Sequence, residues 1–112
     1  MSLRLGLDIG GTKTAALVVD ESGAPLGQAT KPTDVTSPER LVTGTLRIID
    51  EALQDAGSDR GDLLAAGIGI PGQVDPADGS VRLAVNLNLR EPYPLGRVLQ
   101  DALGVPVALE ND

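Results

Sequence analysis

The 112-residue chain contains no cysteine, no histidine, no tryptophan and no phenylalanine, and Tyr93 is its only aromatic residue. Each absence removes a class of chemistry. Without cysteine there are no disulfides or thiolate metal ligands, and without histidine any general acid or base in this chain has to be a carboxylate. A single aromatic ring provides no stacking platform for nucleobases and no tryptophan face for a sugar. Positive charge is scarce too, with 9 Lys and Arg against 16 Asp and Glu, a net charge of −7 and no basic cluster. No nucleic-acid partner is expected for this segment. Apolar runs are only a few residues long, and the N-terminus lacks the basic start and apolar middle of a signal peptide. A cytoplasmic protein without a membrane partner is therefore expected.

What is present suffices for one domain: 41% of the residues are hydrophobic, mostly Ala, Val, Leu and Ile set among 14 glycines. Small side chains let backbones approach closely. Leu3, Leu5, Leu7 and Ile9 alternate with Arg4, Gly6 and Asp8, the period of a strand with one buried face, so Asp8 projects from the other face. Strands are expected at 15–20 and 25–30, with a turn at Glu21-Ser22-Gly23, making the opening an antiparallel meander.

Ser37-Pro38-Glu39 is a helix start, with an N-cap hydroxyl, proline at the first position and an acid at the positive end of the dipole. Leu41, Val42, Leu46, Ile49, Leu53 and Ala56 predict its buried stripe, and Gly57 its stop. A strand over 64–70 ends in Pro71-Gly72, and the Asp78-Gly79 turn precedes another at 80–85. Leu95, Val98, Leu99, Ala102 and Leu103 predict a second helix closed by Gly104 and Pro106, with a last strand at 105–109. The order predicts a mixed sheet with a parallel crossover, and ligands in such sheets collect beyond the carboxyl ends of strands.

Two polar clusters are expected there. Gly10 and Gly11 permit a sharp turn that brings backbone N–H groups, the Thr12 hydroxyl and Lys13 against an anion such as phosphate. Asp8 is a candidate metal ligand, and its alternative role is a carboxylate accepting backbone bonds within its own turn. Lys13 has the alternative of a solvated hairpin charge, and the glycine pair that of a plain hairpin turn. The second cluster is Glu110-Asn111-Asp112, whose alternative is a solvated polar end.

Together these residues resemble the ROK type of sugar kinases and sugar-responsive repressors, within the actin and hexokinase-like ATPase group. Leu7-Asp-Ile-Gly-Gly-Thr-Lys13 resembles the family's first phosphate motif, Gly67-Ile-Gly-Ile-Pro-Gly-Gln-Val-Asp75 its sugar loop, and Val107-Ala-Leu-Glu-Asn-Asp112 the strand that delivers its catalytic aspartate. The resemblance implies a ribonuclease H-like, actin-like α/β lobe in which an antiparallel meander is extended by parallel strands with packed helices. It implies ATP with Mg2+ and a glucose-like hexose phosphorylated at the 6-hydroxyl. Gly10, Gly11, Thr12 and Lys13 would hold the terminal phosphates and Asp8 the metal. Gly72, Asn86 and Asn111 would contact the sugar, and Asp112 would act as base. For Asn86 the alternative is a turn-former after a strand.

The sequence departs from the family pattern over 84–90, where Val85 and Leu89 stand in place of a common proline and a common aromatic residue. The family's second phosphate loop, adenosine pocket and Cys/His structural zinc site would all follow residue 112. Residues 1–112 are therefore expected to be an amino-terminal lobe with the carboxy-terminal lobe absent, inefficient at turnover alone, and a homodimer is an expectation carried from the family. A second function in the same family is the sugar-sensing domain of a transcriptional repressor. A third reading, outside the family, is a small α/β interaction module whose glycine turns are only structural.

Overall fold

The computed structural model describes residues 2–112. Among these, the elements follow in the order β1 (Leu3–Ile9), β2 (Lys13–Val19), β3 (Pro25–Pro32), α1 (Pro38–Asp55), β4 (Leu63–Ile70), β5 (Gln73–Asp75), β6 (Ser80–Leu83), α2 (Leu95–Leu103) and β7 (Val107–Asn111). β1, β2 and β3 form the antiparallel meander, with Asp8 opposite Ala15 and Lys13 opposite Pro32. β4 then joins β1 in parallel and β7 joins β4 in parallel, giving the order β3-β2-β1-β4-β7. The carboxyl ends of β1, β4 and β7 consequently meet at one end of the sheet.

Alternation in β1 buries Leu3, Leu5, Leu7 and Ile9 and leaves Arg4, Gly6 and Asp8 exposed. Leu41, Ile48, Ile49, Ala52 and Leu53 of α1 join the same core as Leu95, Leu99 and Leu103 of α2, so both helices cover one face of the sheet. The Ser37 hydroxyl accepts the Arg40 N–H at 3.1 Å, and Gly57 closes α1 with φ +72, as the sequence predicts. The buried stripe of α1 is rotated from the predicted one, however. Thr45, Ile48 and Ala52 are buried, while Val42, Leu46 and Ala56 are only partly so. The reason lies in β3: a methyl group at Gly27 would meet the Ala52 carbonyl oxygen and stand 2.9 Å from the Ala56 Cβ. The helix lies that close because the strand has no side chain there, and its narrow alanine face turns inward.

Several strand boundaries also differ from expectation, three of them with a clear cause. β2 begins at Lys13, because the Gly10 N–H reaches the Lys13 carbonyl at 2.9 Å and closes the hairpin early. β6 ends at Leu83, and residues 85–87 form a 3-10 turn that buries Leu87. β7 runs over Val107–Asn111, two residues later than predicted, because Pro106 has no N–H and the register pairs Ile70 with Asn111. This shift carries Asn111 into the sheet. No described helix is long and apolar enough to cross a membrane.

Candidate active site

Asp8 near the end of β1 and Asp112 just past β7 flank β4, and the Asp8 side chain acts on the Asp112 carboxyl across it. Gly69 makes this contact sterically available. A Cβ at that position would collide with Asp112 Oδ1 and stand 3.0 Å from its Cγ. The Asp112 backbone is fixed by its N–H, which donates to the Ile70 carbonyl at 3.0 Å. Two carboxyl groups can share a hydrogen bond only with a proton between them, so the Asp112 carboxyl is raised above the ordinary carboxylate value of 3.8. The hydrogen bond with Asp8 contributes most, followed by desolvation and then by the Asp8 charge.

The glycine turn stands beside this pair. The Thr33 hydroxyl donates to the Gly10 carbonyl at 2.7 Å, and the Thr33 N–H donates to the Thr12 carbonyl at 3.0 Å. With Gly10 N–H on the Lys13 carbonyl, three carbonyls of the turn are engaged by the protein. Among the described residues, the N–H groups of Gly11 and Thr12 meet no protein acceptor. Lys13 is exposed, and strand alternation sets it on the same face of the sheet as Asp8. The turn therefore presents free donors and a cation next to two carboxyl groups, an arrangement suited to an anion with a bridging divalent cation.

Gly72 has φ +104, and a Cβ there would clash with the Leu83 carbonyl oxygen and stand 2.9 Å from the Ala84 Cα. The Asn111 side-chain amide donates to the Gly72 carbonyl, joining the tip of β7 to this loop. Its Oδ1 is left as an acceptor. Asn86 lies on the 3-10 turn, exposed, with its Cβ and carbonyl against Gly11, where an added methyl would stand 3.0 Å from the Asn86 Cβ. Of the two positions that depart from the family pattern, Leu89 is buried and Val85 is 54% exposed.

The expected residues thus form three local groupings at one end of the sheet: Asp8 with Asp112, Gly72 with Asn111, and Gly11 with Asn86. A groove of about 250 Å³ lined by Gly67, Gly69, Ala108, Glu110 and Asp112 runs up the outer sheet face to the carboxyl pair. A larger hollow of about 460 Å³, between the Asp78-Gly79 turn and α2, contains none of them.

Sequence reasoning passed over Thr14, Thr33, Gly69 and Asn88. Thr14 is buried and shares a 2.8 Å hydroxyl contact with Thr33. Asn88 adopts φ 59, and its amide donates to the carbonyls of Val35 at 3.1 Å and Thr36 at 3.4 Å. An inward threonine in an otherwise aliphatic strand was a readable signal at Thr14. Nothing local marks Thr33, whose partners lie 19 and 23 residues away.

A mixed sheet with helices on one face and a glycine turn beside paired carboxylates defines the class, and the sequence assigns the family. The ROK family profile matches residues 4–112, and the chain belongs to that family. A glucokinase of Streptomyces coelicolor is 39% identical over 112 residues, which is 100% of this chain and 33% of that protein. The crystal structure of a ROK family glucokinase from Streptomyces griseus in complex with glucose and AMPPNP has a TM-score of 0.82 at 37% identity, covering 97% of this chain and 33% of that one. A ROK family transcriptional regulator, a homologue of the E. coli MLC protein, shares the fold with a TM-score of 0.83 at 22% identity, covering 99% of this chain and 28% of that one. The fold is the actin-like ATPase fold of ROK sugar kinases. The chain spans about one third of the length of these relatives.

Proposed function

We propose that this segment is the amino-terminal lobe of an ATP-dependent hexose kinase that phosphorylates a glucose-like sugar at its 6-hydroxyl. The observation that carries the reading is the meeting of Asp8 and Asp112 beside the free amides of the glycine turn. Asp112 takes the proton of the attacking hydroxyl, and its raised proton affinity suits a base. The amides of Gly11 and Thr12, with Lys13, face the charge that develops on the transferred phosphoryl group. Asn111 and Gly72 hold the sugar from one side, and Asn86 closes it from beside Gly11.

The donor set fits Mg2+ bound with ATP. Among the described residues no group of three or more carboxylates gathers, so a cation here would take Asp8 together with phosphate oxygens and water, the habit of Mg2+. When bound, the ion would neutralise phosphate charge. Glucose and AMPPNP are the ligands named for the Streptomyces griseus relative, which is why these two are chosen.

The test is an amide chemical-shift map of the chain. Mg2+ with AMPPNP should perturb Gly10, Gly11, Thr12 and Lys13, and glucose should perturb Gly72 and Asn111. Response to neither ligand would defeat the proposal. A second reading, a sugar-sensing domain of a repressor, has the fold-level likeness to the ROK regulator in its favour. Response to glucose with none to the nucleotide would favour it.

A further inference from the structure

The glycine turn is held by a residue that lies outside it. Thr33, just beyond β3, reaches the turn with its hydroxyl at the Gly10 carbonyl, 2.7 Å, and its N–H at the Thr12 carbonyl, 3.0 Å. Its hydroxyl oxygen also stands 2.8 Å from that of Thr14. A hydroxyl has one proton, and Thr33 commits its own to Gly10, so Thr14 must donate in the pair. Donation therefore runs from Thr14 to Thr33 to the Gly10 carbonyl.

Direction follows from peptide planarity. The C=O of one residue and the N–H of the next point opposite ways in one rigid plane. Pinning the Gly10 carbonyl inward aims the Gly11 N–H outward, and pinning the Thr12 carbonyl does the same for the plane that follows. The Thr12 N–H lies between two fixed planes. Thr33 is itself held by a short strap: the Asp34 carboxylate accepts the Thr36 N–H at 3.0 Å, and Asn88 ties the Val35 and Thr36 carbonyls to the 3-10 turn.

We propose that Thr33 is a positioning residue for phosphate, setting the peptide planes of the glycine turn so that the Gly11 and Thr12 amides face the terminal phosphates. This rests on the phosphoryl-transfer reading above and adds to it a residue that touches neither substrate.

The experiment follows the chain by NMR during titration with Mg2+ and AMPPNP, in the wild type and in Thr33→Val, Thr33→Ser and Thr14→Val. Loss of the Thr33 donor in Thr33→Val should weaken binding by about tenfold, whereas Thr33→Ser, which keeps the hydroxyl, should stay within about twofold. Thr14→Val removes the other hydroxyl of the same half-buried pair but leaves Gly10 pinned, so it too should stay within about twofold. In the ligand-free chain, Thr33→Val alone should broaden the Gly11 and Thr12 amide signals through exchange between turn conformations. If Thr33→Val does not fold, Thr33→Cys, a side chain of similar size with a weak donor, takes its place with the same expected loss. Equal weakening by Thr14→Val would mean general packing and would overturn the inference, as would full affinity in Thr33→Val. Silence of the wild type to the nucleotide would instead overturn the phosphoryl-transfer reading, and the inference with it.

Discussion

The glycine turn at 10–12 and the excursion over 71–89 close on the same end of the sheet, but different forces hold them. The turn is short and joins adjacent antiparallel strands; its Gly10 N–H donates to the Lys13 carbonyl, and the Thr33 hydroxyl and N–H donate to the Gly10 and Thr12 carbonyls. Gly10 and Gly11 have no positive φ and serve by leaving room: a methyl at Gly10 would stand 2.9 Å from the Lys13 carbonyl oxygen. The excursion has a two-stranded ribbon, a 3-10 turn and Asn88 in the left-handed region. It is fastened by long-range contacts: Gly72 against Ala84, Asn111 to Gly72, and Asn88 to the strap at 35–36. The turn relies on one distant residue, Thr33, whereas the excursion relies on several distant partners at once.

Substitutions can break this comparison in order of severity. Gly72→Ala should cost most, about 3 kcal/mol from left-handed strain plus overpacking against Ala84, read as a lower midpoint in urea. Its loss of amide protection should concentrate over 71–89. Gly10→Ala meets one carbonyl at an ordinary φ and should cost about 1–2 kcal/mol in the same assay. An equal or larger loss at Gly10 would reverse the contrast.

Asn88→Gly keeps the left-handed backbone and removes only the side-chain bonds to Val35 and Thr36, so a loss of about 1 kcal/mol is expected. Protection should fall on both sides of the lost bonds, near 35–36 and near 86–88. Confinement of the change to one side would show that the strap and the excursion are not coupled.

The smallest effect is electrostatic. Asp8→Asn removes the charge and the carboxylate partner of Asp112, so the Asp112 titration, followed by carbon NMR, should move down towards 3.8. The sign for stability follows from linkage: a carboxyl raised in the folded state favours folding when protonated. The Asp112 contribution is present below the ordinary carboxylate pKa and is lost as pH rises through the higher folded value. The surface carboxylates behave oppositely. Asp20 and Asp78 are lowered chiefly by the hydroxyls of Ser22 and Ser80, and their contribution is lost as pH falls through their lowered values. Asp8→Asn should remove only the first of these trends, leaving the acid side unchanged.

Legibility tracked the distance between partners. The alternation of β1, the Ser37 cap, the Gly57 and Gly104 stops and the glycine turn were readable because each depends on residues within a few positions. The start of β7 was not, since its register answers to β4 rather than to its own apolar run. The inward face of α1 was misread for a similar reason, because Gly27 on another element decides which side can approach. Gly69 stood out in the sequence only as part of the 67–75 segment. Its part in letting two carboxyl groups meet follows from parallel pairing on both of its sides.

The sequence by itself determined the order of the main strands and helices, the absence of sulfur and imidazole chemistry, the position of the glycine turn, and the family. Those properties are local or compositional, so short-range sterics and residue inventory are enough to set them. Tertiary structure alone decided that Asp112 lies over Gly69 to reach Asp8, that Thr33 orients the glycine turn, and that Asn88 ties the strap to the excursion. Each of these depends on strand order and register, which place residues tens of positions apart within hydrogen-bond reach.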